Sequence, residues 1–91
     1  MAEVVNNRAH QRYELVVEGH LAATCYKLSD GVITFIHTEV PPELGGKGVG
    51  SALIKGAIDL VRAEGLKVIP ECPFFKAYID KHSEYADLLK R

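Results

Sequence analysis

No run of lysine or arginine interrupts this chain, and its formal net charge is −1. That absence excludes broad electrostatic binding to nucleic acid, which needs a basic face. No apolar stretch approaches the length of a membrane span, and Met1 to Arg8 lacks the basic start and apolar core of a secretory signal. Neither a membrane partner nor export is expected, and the expected location is the cytoplasm. Only two cysteines occur, Cys25 and Cys72, without CxxC spacing, and the four histidines show no HxxxH pair. A structural disulfide is not expected, nor is a metal site. No Ser-His-Asp arrangement can be argued, and there is no repeat, low-complexity tract or linker. What remains, at 47% hydrophobic and 25% charged over 91 residues, reads as one globular domain spanning residues 1–91. Met1 to Gln11 is polar and is expected to fray.

Hydrophobic alternation and turn residues predict the elements. Arg12 to Val17 reads as a strand, Glu18-Gly19-His20 as a turn and Leu21 to Leu28 as a second strand. Ser29-Asp30-Gly31 is a hairpin signal, and Val32 to Val40 a third, long strand stopped by Pro41-Pro42. On that strand unbroken alternation puts Ile33, Phe35, His37 and Glu39 on one face. Val49, Leu53, Ala57, Leu60 and Val61 then recur at helical spacing, predicting a helix from Gly48 to Glu64 capped by Gly65. Gly56 inside it suggests a close approach by another backbone. Leu66 to Glu71 reads as a strand, with Pro70 marking an edge or a splay. Pro73 opens a helix to about His82, and Tyr85 to Lys90 a short terminal one. The order β-β-β-loop-α-β-α predicts an α/β (α+β) domain, a mixed and mostly antiparallel sheet flanked by helices.

The densest signal lies between the third strand and the first helix. Gly45-Gly46-Lys47-Gly48-Val49-Gly50 places four glycines in six residues, just before Ser51-Ala52-Leu53-Ile54. Bare backbone N–H groups at the positive end of a helix dipole bind anions such as a pyrophosphate. A Walker A loop is a poor fit, because no lysine follows Gly50. A dinucleotide fingerprint is also poor, because Ser51 stands where its third glycine belongs.

With its neighbours, the loop resembles the acyl-CoA loop of the GNAT acetyltransferase superfamily, commonly Arg/Gln-x-x-Gly-x-Gly/Ala. Gly48 and Gly50 match, while Gly45 stands where Arg or Gln is usual. His37-Thr-Glu-Val-Pro41, the loop, Val68-Ile-Pro-Glu-Cys-Pro73 and His82-Ser-Glu-Tyr85 together resemble a minimal GNAT-like group of about this length. The resemblance covers Arg12 to Leu89. It implies a compact GNAT-like fold whose sheet splays between Ile33–Val40 and Leu66–Glu71 to admit the pantetheine arm. It also implies acetyl-CoA as co-substrate, no metal, and an amine acceptor, either a small molecule such as a polyamine or a protein. Val40 backbone groups would meet the thioester carbonyl, and the N–H groups of Gly45, Gly46, Lys47, Gly48, Val49, Gly50 and Ser51 would hold the pyrophosphate. Lys47 and Lys76 are candidates to contact CoA phosphates.

For the chemistry, Cys72 is a candidate acid toward the leaving thiolate, or a nucleophile. A small buried hydrophobe is its competing reading, and core is the favoured reading for Cys25. Glu39 and His37 are candidate bases for an amine. Equally, Glu39 could cap the loop and His37 be a hydrogen-bonded core histidine. Tyr78 is a possible acid, but Phe75, Tyr78 and Ile79 also form a packing stripe. Between Val17 and Leu21 there is no room for the helices that build an acceptor pocket in larger relatives. Two other readings stay open: a CoA-binding or protein-interaction module without turnover, and a nucleotide-phosphate binder.

Overall fold

The computed structural model describes residues 3–45 and 48–89. Five strands form one sheet in sequence order: β1 (Val5–Asn7), β2 (Arg12–Val17), β3 (His20–Ser29), β4 (Val32–Glu39) and β5 (Lys67–Pro70). The first four are antiparallel and β5 runs parallel to β4. Two-residue turns at Glu18-Gly19 and Asp30-Gly31 join β2 to β3 and β3 to β4, all four residues lying at positive φ. That is the turn geometry whose twist matches paired strands. Helix α1 (Val49–Ala63) packs across β2 and β3, and α2 (Pro73–Lys81) across β4 and β5. The final 3₁₀ segment, Ser83–Leu88, docks on α1: Tyr85 donates to Asp59 at 3.2 Å and Arg62 holds Asp87.

All the buried apolar residues but Ala23, which lies on the outer face, form one cluster on the helix side of the sheet. Tyr13, Tyr26 and Phe35 line its floor with ring centroids 5.3 to 6.2 Å apart. Phe75 of α2 stacks on Phe35 at 3.9 Å, tying the second helix to β4. On the outer face no helix covers the sheet among the described residues, and Val16, Leu21 and Ile36 are exposed there. No helix is long and apolar enough to cross a membrane among those residues.

Three expectations are corrected. Residues 5–10 do not fray. Val5–Asn7 pairs with β2, Tyr26 donates its hydroxyl to Asn6 at 2.7 Å, and Val4 packs against the core. A Cβ on Gly56 would sit 2.4 Å from Val4 Cγ2, so the close approach at that glycine is made by a side chain. Second, β4 does not alternate throughout. Tyr26 pairs with Phe35 but Cys25 with His37, so Ile36 is an extra residue, a β-bulge. Beyond it the faces exchange: Thr38 points inward with Thr24, and His37 and Glu39 point outward, away from the side of Ile33 and Phe35. Third, Cys25 lies half-buried on that outer face and not in the core.

The edge carries a pH-dependent contact. Burial opposes charge on Glu14, but hydrogen bonds from Arg12 and Asn7, with the Arg12 charge, overcome it and hold the carboxyl below its usual range. A depressed folded value means ionised Glu14 stabilises the fold above about pH 4.3, the unfolded value, and this is lost as pH falls through the folded one. Thermal unfolding of wild type and Glu14→Gln should therefore differ near neutrality and converge toward pH 3. A constant gap across that range would assign the effect to packing.

Candidate functional site

The sheet opens next to the glycine loop. Pairing between β4 and β5 ends at Phe35 with Pro70, and the last bridge is the Cys72 N–H donating to the Phe35 carbonyl at 2.8 Å. Pro70 has no N–H to extend the ladder, and the bulge at Ile36 turns β4 away. Residues Ile36 to Glu39 thus run without a strand on their β5 side.

The chain then makes a 3₁₀ turn, Pro42–Leu44, pinned by buried Leu44, and enters α1 through Gly48. Gly48 has φ +72°, a left-handed conformation that a residue with a Cβ adopts only with strain. No side chain caps α1. Among the described residues the Ala52 N–H is the first to bond back, to the Gly48 carbonyl at 3.0 Å, and the N–H groups of Val49, Gly50 and Ser51 precede it at the open end of the helix.

A cavity of about 320 Å³ lies at this helix end. Val40, Pro41, Pro42 and Leu44 wall one side; Gly45, Gly48, Val49, Gly50 and Ser51 supply the backbone side, and Phe74 closes it. Gly50 also makes room for a side chain: an added Cβ would lie 2.5 Å from Phe74 Cζ, so the half-exposed ring would have to shift. Each of Val40, Gly45, Gly48, Val49, Gly50 and Ser51, named from sequence, lines the cavity; Gly46 and Lys47 lie outside the described residues. Lys76 does not reach it. Position 76 is exposed on the helical face that also carries Asp80, turned away from Phe74, Ala77 and Tyr78, and its ammonium is paired with Asp80 at 3.1 Å.

The candidate acid and bases sit on opposite sides of the sheet. Cys72, at the start of α2, is 4% exposed and lines neither this cavity nor its neighbour along α2. Its thiol donates to Thr38 Oγ1 at 3.3 Å, and Thr38 shares a 2.9 Å hydrogen bond with the buried Thr24. This side-chain bridge spans the split where the backbone ladder has ended. His37 and Glu39 are exposed on the outer face, Nε2 to Oε1 at 2.9 Å. A carboxylate only accepts, so neutral His37 carries its proton on Nε2 and leaves Nδ1 as a base. Among the described residues no three of His, Cys, Asp or Glu cluster as metal ligands.

Sequence reasoning missed Pro41, Pro42, Leu44 and above all Phe74. Two adjacent phenylalanines on a helix cannot both face the core, which is the available signal; Phe75 is buried and Phe74 is 48% exposed over the cavity. Tyr78, read as packing, touches the core but also lines the neighbouring cavity.

Residues 12–88 match the family described as GCN5-related N-acetyl-transferase. A GCN5-like protein from Staphylococcus aureus, solved by NMR, superposes with a TM-score of 0.73 at 31% sequence identity, over 97% of this chain and 87% of that one. No protein of curated function matches the chain. The split sheet, the uncapped glycine entry to α1 and a match over most of the length agree: this chain belongs to the GCN5-related N-acetyltransferase family.

Proposed function

We propose that the protein transfers an acetyl group from acetyl-CoA to an amine. The observation that carries this reading is the cavity at the uncapped start of α1, beside the split between β4 and β5. The N–H groups of Val49, Gly50 and Ser51 suit a pyrophosphate, which needs several fixed donors and no bulky side chain. With Gly45 where a charged or amide side chain is usual, those backbone donors carry the contact. Acetyl-CoA supplies the acetyl group as an activated thioester. On the outer face His37 Nδ1, oriented by Glu39, takes the proton released as the amine nitrogen bonds to the acetyl carbon. As the carbon–sulfur bond breaks, Cys72 on the inner face gives its thiol proton to the departing thiolate.

The two-residue turn at Glu18-Gly19 adds no element above the outer face, and none lies there among the described residues, so the acceptor site is shallow. An extended amine, a protein tail or a polyamine, suits it better than a small compact molecule. Cys72 lining neither cavity favours one alternative, a module that binds CoA without turnover.

Calorimetric titration with acetyl-CoA, then mass spectrometry of lysine peptides and polyamines incubated with both, separates them. Micromolar binding with acetylated product is expected. Binding without product on any amine would establish the alternative, and ATP or NAD displacing CoA would overturn the reading.

A further inference from the structure

Packing alone does not call for the two hydroxyls behind Cys72. Apart from tyrosine and cysteine, Thr24 is the only buried polar residue among the described residues. It is the cross-strand partner of Thr38 on the inner face, and their Oγ1 atoms lie 2.9 Å apart. Thr38 in turn accepts from the Cys72 thiol at 3.3 Å. The sulfur is committed to that contact. Although Cys72 is the N-cap residue of α2, its side chain caps no N–H group of the helix. Its backbone is held as well, by the N–H that donates to the Phe35 carbonyl. A valine at position 24 would fill a similar volume with no hydroxyl to satisfy.

What the chain can do follows from what each atom donates. A thiol donates one proton weakly, while a hydroxyl donates one and accepts two. With Cys72 protonated, Thr38 receives the S–H, and the bond between the threonines forms in either direction. Once Cys72 has given its proton to the departing thiolate, its sulfur only accepts. The contact then survives in one arrangement: Thr24 donates to Thr38, and Thr38 turns its own O–H to the sulfur. Hydroxyl protons rotate and no heavy atom moves. Without such a donor, a charged sulfur at this buried position would be costly.

We infer that Thr38, backed by Thr24, is a positioning residue for the transfer, holding the Cys72 thiol toward β4 and donating to its sulfur as the proton leaves. The inference rests on the reading of Cys72 as the acid and adds the two residues through which that acid works. The protons balance. The Cys72 S–H bond breaks as the CoA S–H bond forms, and solvent returns a proton to Cys72 after CoA departs. That proton matches the one His37 releases to solvent. Both threonines end the cycle with the protons they began with.

The test is steady-state kinetics with denaturant unfolding for Thr38→Val, Thr38→Ser and the double variant Thr24→Val/Thr38→Val. Thr38→Val is also made in a Cys72→Ala background. Thr38→Val should lower kcat about tenfold, the scale of one lost hydrogen bond to a charged group, with the KM for acetyl-CoA unchanged. Thr38→Ser should recover most of that loss, because the hydroxyl returns. The double valine leaves no orphaned hydroxyl, so it should unfold like wild type and still turn over slowly. In the Cys72→Ala background Thr38→Val should cost nothing further, since the groups act as one unit. Wild-type kcat in a stably folded double valine would overturn the inference and leave Cys72 as the acid. The same loss from Thr38→Val with and without Cys72 would also overturn it, making the bridge a clamp on β4. Wild-type kcat in Cys72→Ala, or no turnover by wild type on any amine, would overturn the acid reading and the inference together.

Discussion

Gly48→Asp is expected to weaken CoA binding at least about a hundredfold while the protein stays folded. An added Cβ at Gly48 meets nothing within 4 Å, so there is room for the side chain. The strain of φ +72° costs about 1 kcal/mol, and Asp tolerates that conformation better than most residues. In a domain of this size that lowers the unfolding midpoint by roughly 4–8 °C. The new carboxylate faces the anion site. Like charges about 5 Å apart at an effective dielectric of about 20 repel by roughly 3 kcal/mol, which is more than a hundredfold in affinity. Gly48→Asn is the control, since it carries the same strain without the charge. If Gly48→Asn loses as much affinity as Gly48→Asp, the loop geometry and not the charge is at fault; if neither loses any, α1 does not bind the pyrophosphate. Gly50 is less suitable for this experiment, because a side chain there would also have to move the Phe74 ring that lines the cavity.

Cys72→Ala is expected to lower kcat by about a hundredfold, the lower end of what a positioned general acid contributes. The KM for acetyl-CoA should change little, because the sulfur lines neither cavity. Removing a small buried side chain costs about 1–2 kcal/mol of stability, to be measured separately by denaturant unfolding. Cys72→Ser keeps a donor to Thr38 but is a far weaker acid, so it should recover stability and not turnover. A serine variant with wild-type kcat would make the thiol a structural bridge between β4 and the start of α2. Steady-state kinetics on the acetylated amine, with unfolding curves for both variants, gives the answer.

Much of this site is legible in the sequence because it is built from backbone. Glycine spacing, the double proline and the helical recurrence from Val49 onward specify a loop-to-helix entry, and Val40, Gly45 and Gly48 to Ser51 line the cavity there. The hairpins are equally readable, since Glu18-Gly19 and Asp30-Gly31 have the residues their turns demand. What stays hidden depends on register and on long-range contact. Nothing local to Thr34-Phe35-Ile36-His37 announces a bulge; it follows from how β3 pairs with β4, and it moves His37 and Glu39 to the other face. The pairing of Val5–Asn7 is hidden for the same reason, because polar Asn6 and Asn7 are held by Tyr26 and Glu14, which lie far along the chain. Lys76 and Lys81 look alike in a sequence. Only the helix phase, and the aspartate that occupies one and not the other, tells them apart.

One inserted residue, Ile36, does more than bend a strand. Strand β4 is the common wall of two compartments, and the bulge assigns Thr38, with Cys72, to one of them and the His37–Glu39 pair to the other. In the proposed mechanism the donor, Cys72, and the acceptor, His37, would thus be separated by a layer of backbone. Excision of this single residue would leave Phe35 opposite Tyr26 and His37 opposite Cys25, so the groups would keep their sides; pairing Ile36 with Cys25 in strict alternation is what would exchange them.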